Sequence, residues 1–266
     1  MELGLRERVC VVTGAAGDVG LETSLALAAE GAAVVLIGRR EAPLRELADQ
    51  CRDGGAAAAL VLALDVTAPD AGERVRDDCL QEFGRIDVLV NNAGASSAKS
   101  IDELSDADWQ AQWELHVMGP MRLMRALAPA MAERGWGRIV NVTSSSGKRP
   151  SGTNMAYGVT KAAQLSLSRS FADVYASRGV LVNAIAPGPL SGALWEAPRG
   201  LADQLAAARG VTREQVLETT ASRLPLGRYG TAREVANVIV FLCSETASNV
   251  AGAAWSVDGG AVPVII

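Results

Sequence analysis

Short apolar runs alternate with helical patterns almost from end to end, and this rhythm constrains the fold more than any other feature. The runs are Val9–Thr13, Ala33–Ile37, Ala59–Leu64, Ile86–Val90, Arg138–Thr143, Leu181–Ile185 and Ala254–Val257. Each is bounded by Gly, Asp or Asn, the pattern of strands buried on both faces. Between them, helical patterns cover residues 20–30, 41–53, 70–83, 106–133, 155–178 and 231–244. Repeated β-α-β order predicts a seven-stranded parallel sheet with helices on both faces, a doubly wound α/β architecture in three layers. Residues 189–230 break the rhythm with two short helical candidates, 199–209 and 212–222, and no clear strand. An insert of that length in a compact domain reads as a lid or binding loop. No linker, repeat or charge block divides the 266 residues, and 49% of them are apolar, enough for a full core. One domain over 1–266 with a lid at 189–230 is expected.

Bulk properties exclude several classes. The formal net charge of −5 disfavours nucleic acid or an anionic membrane as a partner. No apolar run approaches the ~20 residues needed to cross a bilayer. The first residues, M-E-L-G-L-R-E-R-V, contain no long apolar stretch, so no export signal and a cytoplasmic location are expected. The cysteines Cys10, Cys51, Cys79 and Cys243 are scattered, as free thiols in a reducing compartment are. With one histidine, His116, and no clustered cysteines, no metal site is expected.

Tyr157 and Lys161 stand four residues apart in M-A-Y-G-V-T-K-A-A. That step puts both side chains on one helix face. An ammonium beside a phenol favours phenolate and should lower the Tyr157 pKa from about 10 toward neutrality. Such a pair can give a proton to an oxygen or take one. Ser144 follows the run R-I-V-N-V-T, where a hydroxyl can hold a carbonyl oxygen against the tyrosine. Taken alone, the pair also fits a surface contact on a helix.

The first run leads into T-G-A-A-G-D-V-G over residues 13–20 and then a helix. Glycines at such a turn let backbone N–H groups approach a pyrophosphate, and the helix N-terminus favours its charge. A plain tight turn is the alternative, since the G-x-G-x-x-G spacing is not met. The second run ends V-V-L-I-G-R-R. An acid there would select NAD through the ribose 2′-OH, whereas Arg39 and Arg40 offer bidentate partners to a 2′-phosphate. NADP(H) is therefore the expected cofactor, with NAD(H) possible. The alternative is that the two arginines only solvate a helix start.

At this point nearly the whole chain, residues 6–260, resembles the short-chain dehydrogenase/reductase family in its single-domain, Rossmann-type form. The family's T-G-x-x-x-G-x-G is matched at Thr13, Gly14 and Gly20, and its acid after the third strand at Asp65, followed by Val66. N-N-A-G stands at Asn91–Gly94, including Ala93. The serine and Tyr-x-x-x-Lys are Ser144, Tyr157 and Lys161. V-N-x-x-x-P-G ends at Pro187 and Gly188, followed by Leu190. P-L-G-R and V-D-G-G are Pro225–Arg228 and Val257–Gly260. The resemblance implies that Gly14, Gly17, Asp18, Val19, Gly20, Arg39, Arg40, Asp65, Val66, Asn91, Ala93, Gly94, Pro187, Gly188 and Leu190 line the cofactor, together with Tyr157 and Lys161.

Three positions depart from the family pattern. Asp18 replaces the middle glycine of the phosphate turn, so its carboxylate must point away from a pyrophosphate or cap the helix, and Gly17 is expected to restore the turn's flexibility. His116 replaces the asparagine of W-x6-N, counted from Trp109. In the family that residue's backbone helps hold a water linking Lys161 to solvent. A histidine can keep that backbone role, join the proton relay through its imidazole, or simply fill a gap. Gly192 replaces the threonine that contacts the nicotinamide amide, and Ser191 is expected to take that contact over.

The resemblance implies hydride transfer between the nicotinamide and a carbonyl carbon. Tyr157 would donate the proton, Ser144 would stabilise the oxygen, and Lys161 would tune Tyr157 and grip the nicotinamide ribose. The expected substrate is a small carbonyl compound or alcohol, hydrophobic or cyclic, because Leu190, Leu194, Trp195, Leu201, Leu205, Val216 and Leu217 make the lid apolar. The same residues can instead pack the lid's own helices. Reduction of 3-oxoacyl thioesters on a carrier protein is the alternative, disfavoured by Asp173 and Gly135 where carrier-binding members have basic residues, although Arg134 and Arg178 are close by. A cofactor-binding regulator without catalysis is a further alternative. The family usually assembles as a dimer of dimers through its fourth and fifth helices and C-terminal strand. A homotetramer is therefore expected, in line with the apolar tail A-V-P-V-I-I.

Overall fold

The computed structural model describes residues 2–96 and 98–263; the end of the apolar tail, residues 264–266, lies outside them. Seven strands form one sheet in the order β3-β2-β1-β4-β5-β6-β7, every neighbouring pair parallel. They are β1 Val9–Thr13, β2 Ala33–Gly38, β3 Ala58–Ala63, β4 Val88–Asn91, β5 Gly137–Val142, β6 Val180–Pro187 and β7 Ala254–Val257. The helices are α1 Asp18–Ala29, α2 Glu41–Asp53, α3 Ala71–Phe83, α4 Asp106–Trp113, α5 Gly119–Glu133, α6 Ser145–Lys148 and α7 Met155–Tyr175. After β6 come α8 Ala193–Glu196, α9 Leu201–Arg209, α10 Arg213–Ser222 and α11 Ala232–Cys243.

Strand alternation divides the core in two. Val12, Val34, Leu36, Val88, Val90 and Val140 face one way, against Leu27 of α1, Leu44 and Leu47 of α2 and Ile239 of α11. Val11, Val35, Ile37, Leu89 and Ile139 face the other way, against Val75 of α3 and Leu123, Met124, Leu127 and Met131 of α5. A sheet covered on both faces has no polar face, which explains the continuous apolar runs. The outermost strands correct that reading, for β3 is only half-buried and β7 largely exposed. An edge strand lacks a neighbour and part of its helical cover.

The predicted helix over 106–133 is two helices. Ser105 and Asp108 exchange capping hydrogen bonds that start α4. A π-turn at Glu114–Met118 then separates α4 from α5. Such a turn inserts a residue into the helical ladder and re-aims the side chains that follow, and it is frequent at functional sites. Here it carries His116.

The insert at 189–230, expected to be a lid, carries α8, α9 and α10. Ala202, Leu205, Ala206 and Val216 form its own small core with Trp195 and Leu217, seated on Ala98. Gln204 Oε1 accepts the Ala98 N–H at 2.8 Å. Most apolar lid residues are therefore consumed by the lid itself and are no argument for a hydrophobic substrate. No described helix is long and apolar enough to cross a membrane.

Candidate active site

The strand order reverses between β1 and β4, which places a crevice beyond the carboxyl ends of these strands. The glycine turn fills one side of it. Gly14 has φ +61, and a Cβ there would lie 2.9 Å from Ala93 Cα. A Cβ on Gly20 would lie 2.2 Å from Gly14 O. Only glycine fits either position. Gly17 is different: it is the N-cap of α1 with φ −89, an ordinary value, so it adds no special freedom. Asp18 is not a cap either. It is the first helical residue, followed by half-buried Val19, and its carboxylate turns away to accept the N–H of Ala193.

The end of β4 braces this turn. Asn92 Nδ2 donates to Thr13 O at 3.0 Å and Gly14 O at 3.2 Å, and the N–H groups of Asn92 and Ala93 donate to Thr13 Oγ1. Thr13 and Asn92 were missed as site residues in the sequence reading, although T-G and N-N-A-G contain them. Asn91 lies inside the sheet, where its amide donates to Asn141 Oδ1 at 2.9 Å. It supports the end of β4 from beneath. Asp65 follows β3 and accepts both the N–H and the hydroxyl of Thr67, which fixes the loop at buried Val66. Arg39 and Arg40 follow β2, are exposed, and make no ion pair among the described residues.

On the other side, Ser144 follows β5 and accepts the Ser146 N–H at 3.1 Å, opening α6. Tyr157 and Lys161 occupy the first two turns of α7, and Lys161 Nζ lies 5.6 Å from the Tyr157 ring centre. Lys161 is buried and donates to Val142 O at 2.9 Å and Gln164 Oε1 at 3.0 Å. Burial lowers its pKa to about 7. Burial also raises the Tyr157 pKa, and the neighbouring Ser144 hydroxyl opposes that rise. The expected depression of Tyr157 by its lysine is thus corrected: desolvation of the phenol outweighs it.

His116 is fully buried. Its Nε2 accepts the Ala95 N–H at 3.2 Å, and Nδ1 lies 3.0 Å from Thr160 Oγ1. Thr160 Oγ1 donates its own proton to Tyr157 O at 2.9 Å, so Nδ1 carries the proton between them. The ring meets Tyr157 edge to face, 5.2 Å between centres. Burial, then the charge of Lys161, lower its pKa to about 2. The neutral ring thereby ties the loop at Ala95 to α7. Gly94 lies beside it, where a Cβ would come 3.4 Å from Nε2.

The loop after β6 closes the crevice. A Cβ on Gly188, next to Pro187, would lie 2.7 Å from Asp258 Cα. Leu190 bridges to Gly230 and packs on the main core. Ser191 donates both its N–H and its hydroxyl to Gly230 O, so the hydroxyl expected to replace the missing threonine is already engaged. The described residues contain no group of three or more potential metal ligands.

A glycine turn at the sheet's switch point, facing a serine, a tyrosine and a lysine across one crevice, defines a dinucleotide-binding α/β oxidoreductase. The family model described as enoyl-(acyl carrier protein) reductase matches residues 14–262. The chain belongs to the short-chain dehydrogenase/reductase family. It is 39% identical over 255 residues to cis-4-hydroxycyclohexanecarboxylate dehydrogenase of Sinomonas cyclohexanicum, covering 96% of each chain. It is 35% identical over 260 residues to a 3-oxoacyl-[acyl-carrier-protein] reductase of Thermotoga maritima, covering 97% of this chain and 99% of that one. Among solved structures, L-sorbose reductase of Gluconobacter frateurii, complexed with NADPH and L-sorbose, superposes with a TM-score of 0.92 at 35% identity, each chain covered in full.

Proposed function

We propose that this protein is an NADP(H)-dependent oxidoreductase that interconverts a small, free cyclic ketone and its secondary alcohol. The observation that carries the chemistry is the convergence of Ser144, at the end of β5, and Tyr157, on α7, with the Lys161 ammonium 5.6 Å from the phenol ring centre. The glycine turn with Val19, Asp65, Val66, Ala93, Gly94 and the Pro187–Leu190 loop fits a dinucleotide, and Arg39 and Arg40 fit a 2′-phosphate. The cofactor supplies the hydride. Tyr157 gives its proton to the carbonyl oxygen, Ser144 holds that oxygen, and Lys161 stabilises charge on the phenol. His116 takes no proton; it orients α7.

The cyclic substrate is supported by the likeness to the cyclohexanecarboxylate dehydrogenase. The likeness to 3-oxoacyl reductases favours a carrier-bound thioester instead. Against that reading, Asp173 is paired with Arg169 at 2.7 Å, and Gly135 is a turn residue with φ +67 and no side chain to offer. Rates of NADPH oxidation with cyclic ketones, ketoses and 3-oxoacyl thioesters test the proposal. The highest kcat/KM is expected with a cyclic ketone, and a thioester ranking first would overturn the substrate assignment.

A further inference from the structure

Asp18 leaves the nucleotide turn and reaches the lid. Its Oδ2 accepts the Ala193 N–H at 2.7 Å, across 175 residues of sequence. Ala193 opens α8, so an acid from the phosphate turn caps the first helix of the lid. The contact is exposed, and a lone exposed hydrogen bond carries little. Its counterpart carries more. Gly192 has φ +144, and a Cβ there would lie 2.3 Å from Asp18 Oδ2. That backbone region requires glycine, and any side chain there would push the Asp18 carboxylate off its seat. The N–H groups of Trp195 and Glu196 donate to Gly192 O at 3.1 and 2.8 Å, so the residue seated by Asp18 also nucleates α8. Two departures from the family pattern, at 18 and at 192, are therefore the two halves of one contact.

We propose that Asp18 is a positioning residue that latches the lid to the phosphate turn, with Gly192 as its receptor, and that bound dinucleotide strengthens the latch. Asp18 opens α1, and its carboxylate is given to the Ala193 N–H. A pyrophosphate held by the N–H groups at the N-terminus of α1 would repel the carboxylate from that end of the helix. The lid contact is then the one that remains. Coupling is reciprocal, so a latched lid also holds the dinucleotide. The substrate consequently meets an ordered lid only after the cofactor is in place.

This inference rests on the reading of the glycine turn as a dinucleotide site, and hydrogen exchange separates the two. In the wild-type protein, NADPH should slow exchange in residues 13–20 and in residues 190–197. In Asp18→Gly the first effect should persist and the second should vanish. KM for the carbonyl substrate should rise on the order of tenfold, with a smaller fall in kcat. Gly192→Ala should act like Asp18→Gly, and the double variant should be no worse than either single one. No protection of residues 13–20 by NADPH would overturn the cofactor reading. Protection there, with lid exchange indifferent to Asp18 or with additive single variants, would overturn the latch alone.

Discussion

His116 Nδ1 meets Thr160 Oγ1 at 3.0 Å, and Thr160 in turn donates to the carbonyl of Tyr157. The π-turn is thereby tied to the first turn of α7, while His116 Nε2 holds the loop at Ala95. One buried imidazole thus sets the distance between the end of β4 and the tyrosine. Thr160→Val would leave the Nδ1 proton without an acceptor, a cost of about 1–3 kcal/mol. His116→Ala would remove both hydrogen bonds of the ring and open a buried cavity, for a loss of about 2–4 kcal/mol. Denaturant unfolding of both variants measures these losses. His116→Asn keeps a donor and an acceptor and should stay within about tenfold of wild-type activity, roughly 1.4 kcal/mol of barrier.

A pH profile separates that brace from a relay. Of Tyr157, Lys161 and His116, only the lysine titrates near neutrality, with a pKa lowered to about 7 by burial. The His116 pKa lies near 2 and the Tyr157 pKa is raised, so the imidazole stays neutral and the phenol protonated as pH crosses 7. The ammonium assists reduction by stabilising charge on the phenol. Reduction kcat/KM should therefore fall as pH rises through about 7, because the free enzyme loses that charge. The limb should persist in His116→Asn. Its disappearance there would make the imidazole the titrating group.

Tyr157→Phe removes the proton donor and keeps the ring against His116. Its kcat should drop by at least ~10²-fold, the lower range for a general acid. NADPH binding, followed by fluorescence, should change little. Turnover near the wild-type rate would end the assignment of Tyr157 as proton donor, and binding without turnover in the wild-type protein would favour the regulator reading.

The sheet was legible because a parallel strand covered on both faces announces itself as a continuous apolar run. Val9–Thr13 falls where the sequence puts it, and Ala33–Ile37 within one residue of it. The Ser144, Tyr157 and Lys161 set was legible because helical spacing and a strand end fix where those side chains go. Three kinds of feature were not. The break at Glu114–Met118 has no proline or glycine inside it, and its residues suit an α-helix as well as a π-turn. The Asp18 contact spans the chain, and no local pattern predicts a partner 175 residues away. The lid's apolar residues signal burial but not against what, so the same leucines fitted a substrate wall and a self-packed lid.

Arg39 and Arg40 make no ion pair among the described residues, so their replacement costs the fold little. A guanidinium bound to a 2′-phosphate contributes about 1.5–3 kcal/mol as a charged hydrogen bond. Arg39→Asp should thus lower kcat/KM with NADPH about 10- to 100-fold while sparing NADH. Steady-state kinetics with both cofactors decide it. An unchanged preference would show that the end of β2 does not read the phosphate.

Assembly gives the last prediction. Val174 on α7 is 61% exposed, and Trp113 on α4 and Val159 on α7 are exposed too. On the open sheet edge, exposed Trp255 of β7 stacks with Phe241 of α11, ring centres 5.7 Å apart. Two separate faces, one on α4 and α7 and one along β7, offer apolar surface to solvent. Two isologous faces on each copy are what a dimer of dimers requires. Light scattering should give about four times the 27.6 kDa chain mass at micromolar concentration. Val174→Asp buries a charge in only the first face and should leave a dimer held through β7. A wild-type monomer would refute the assembly. A Val174→Asp variant that remains a tetramer would remove α7 from the interface while leaving the β7 contact to be tested by Trp255→Asp.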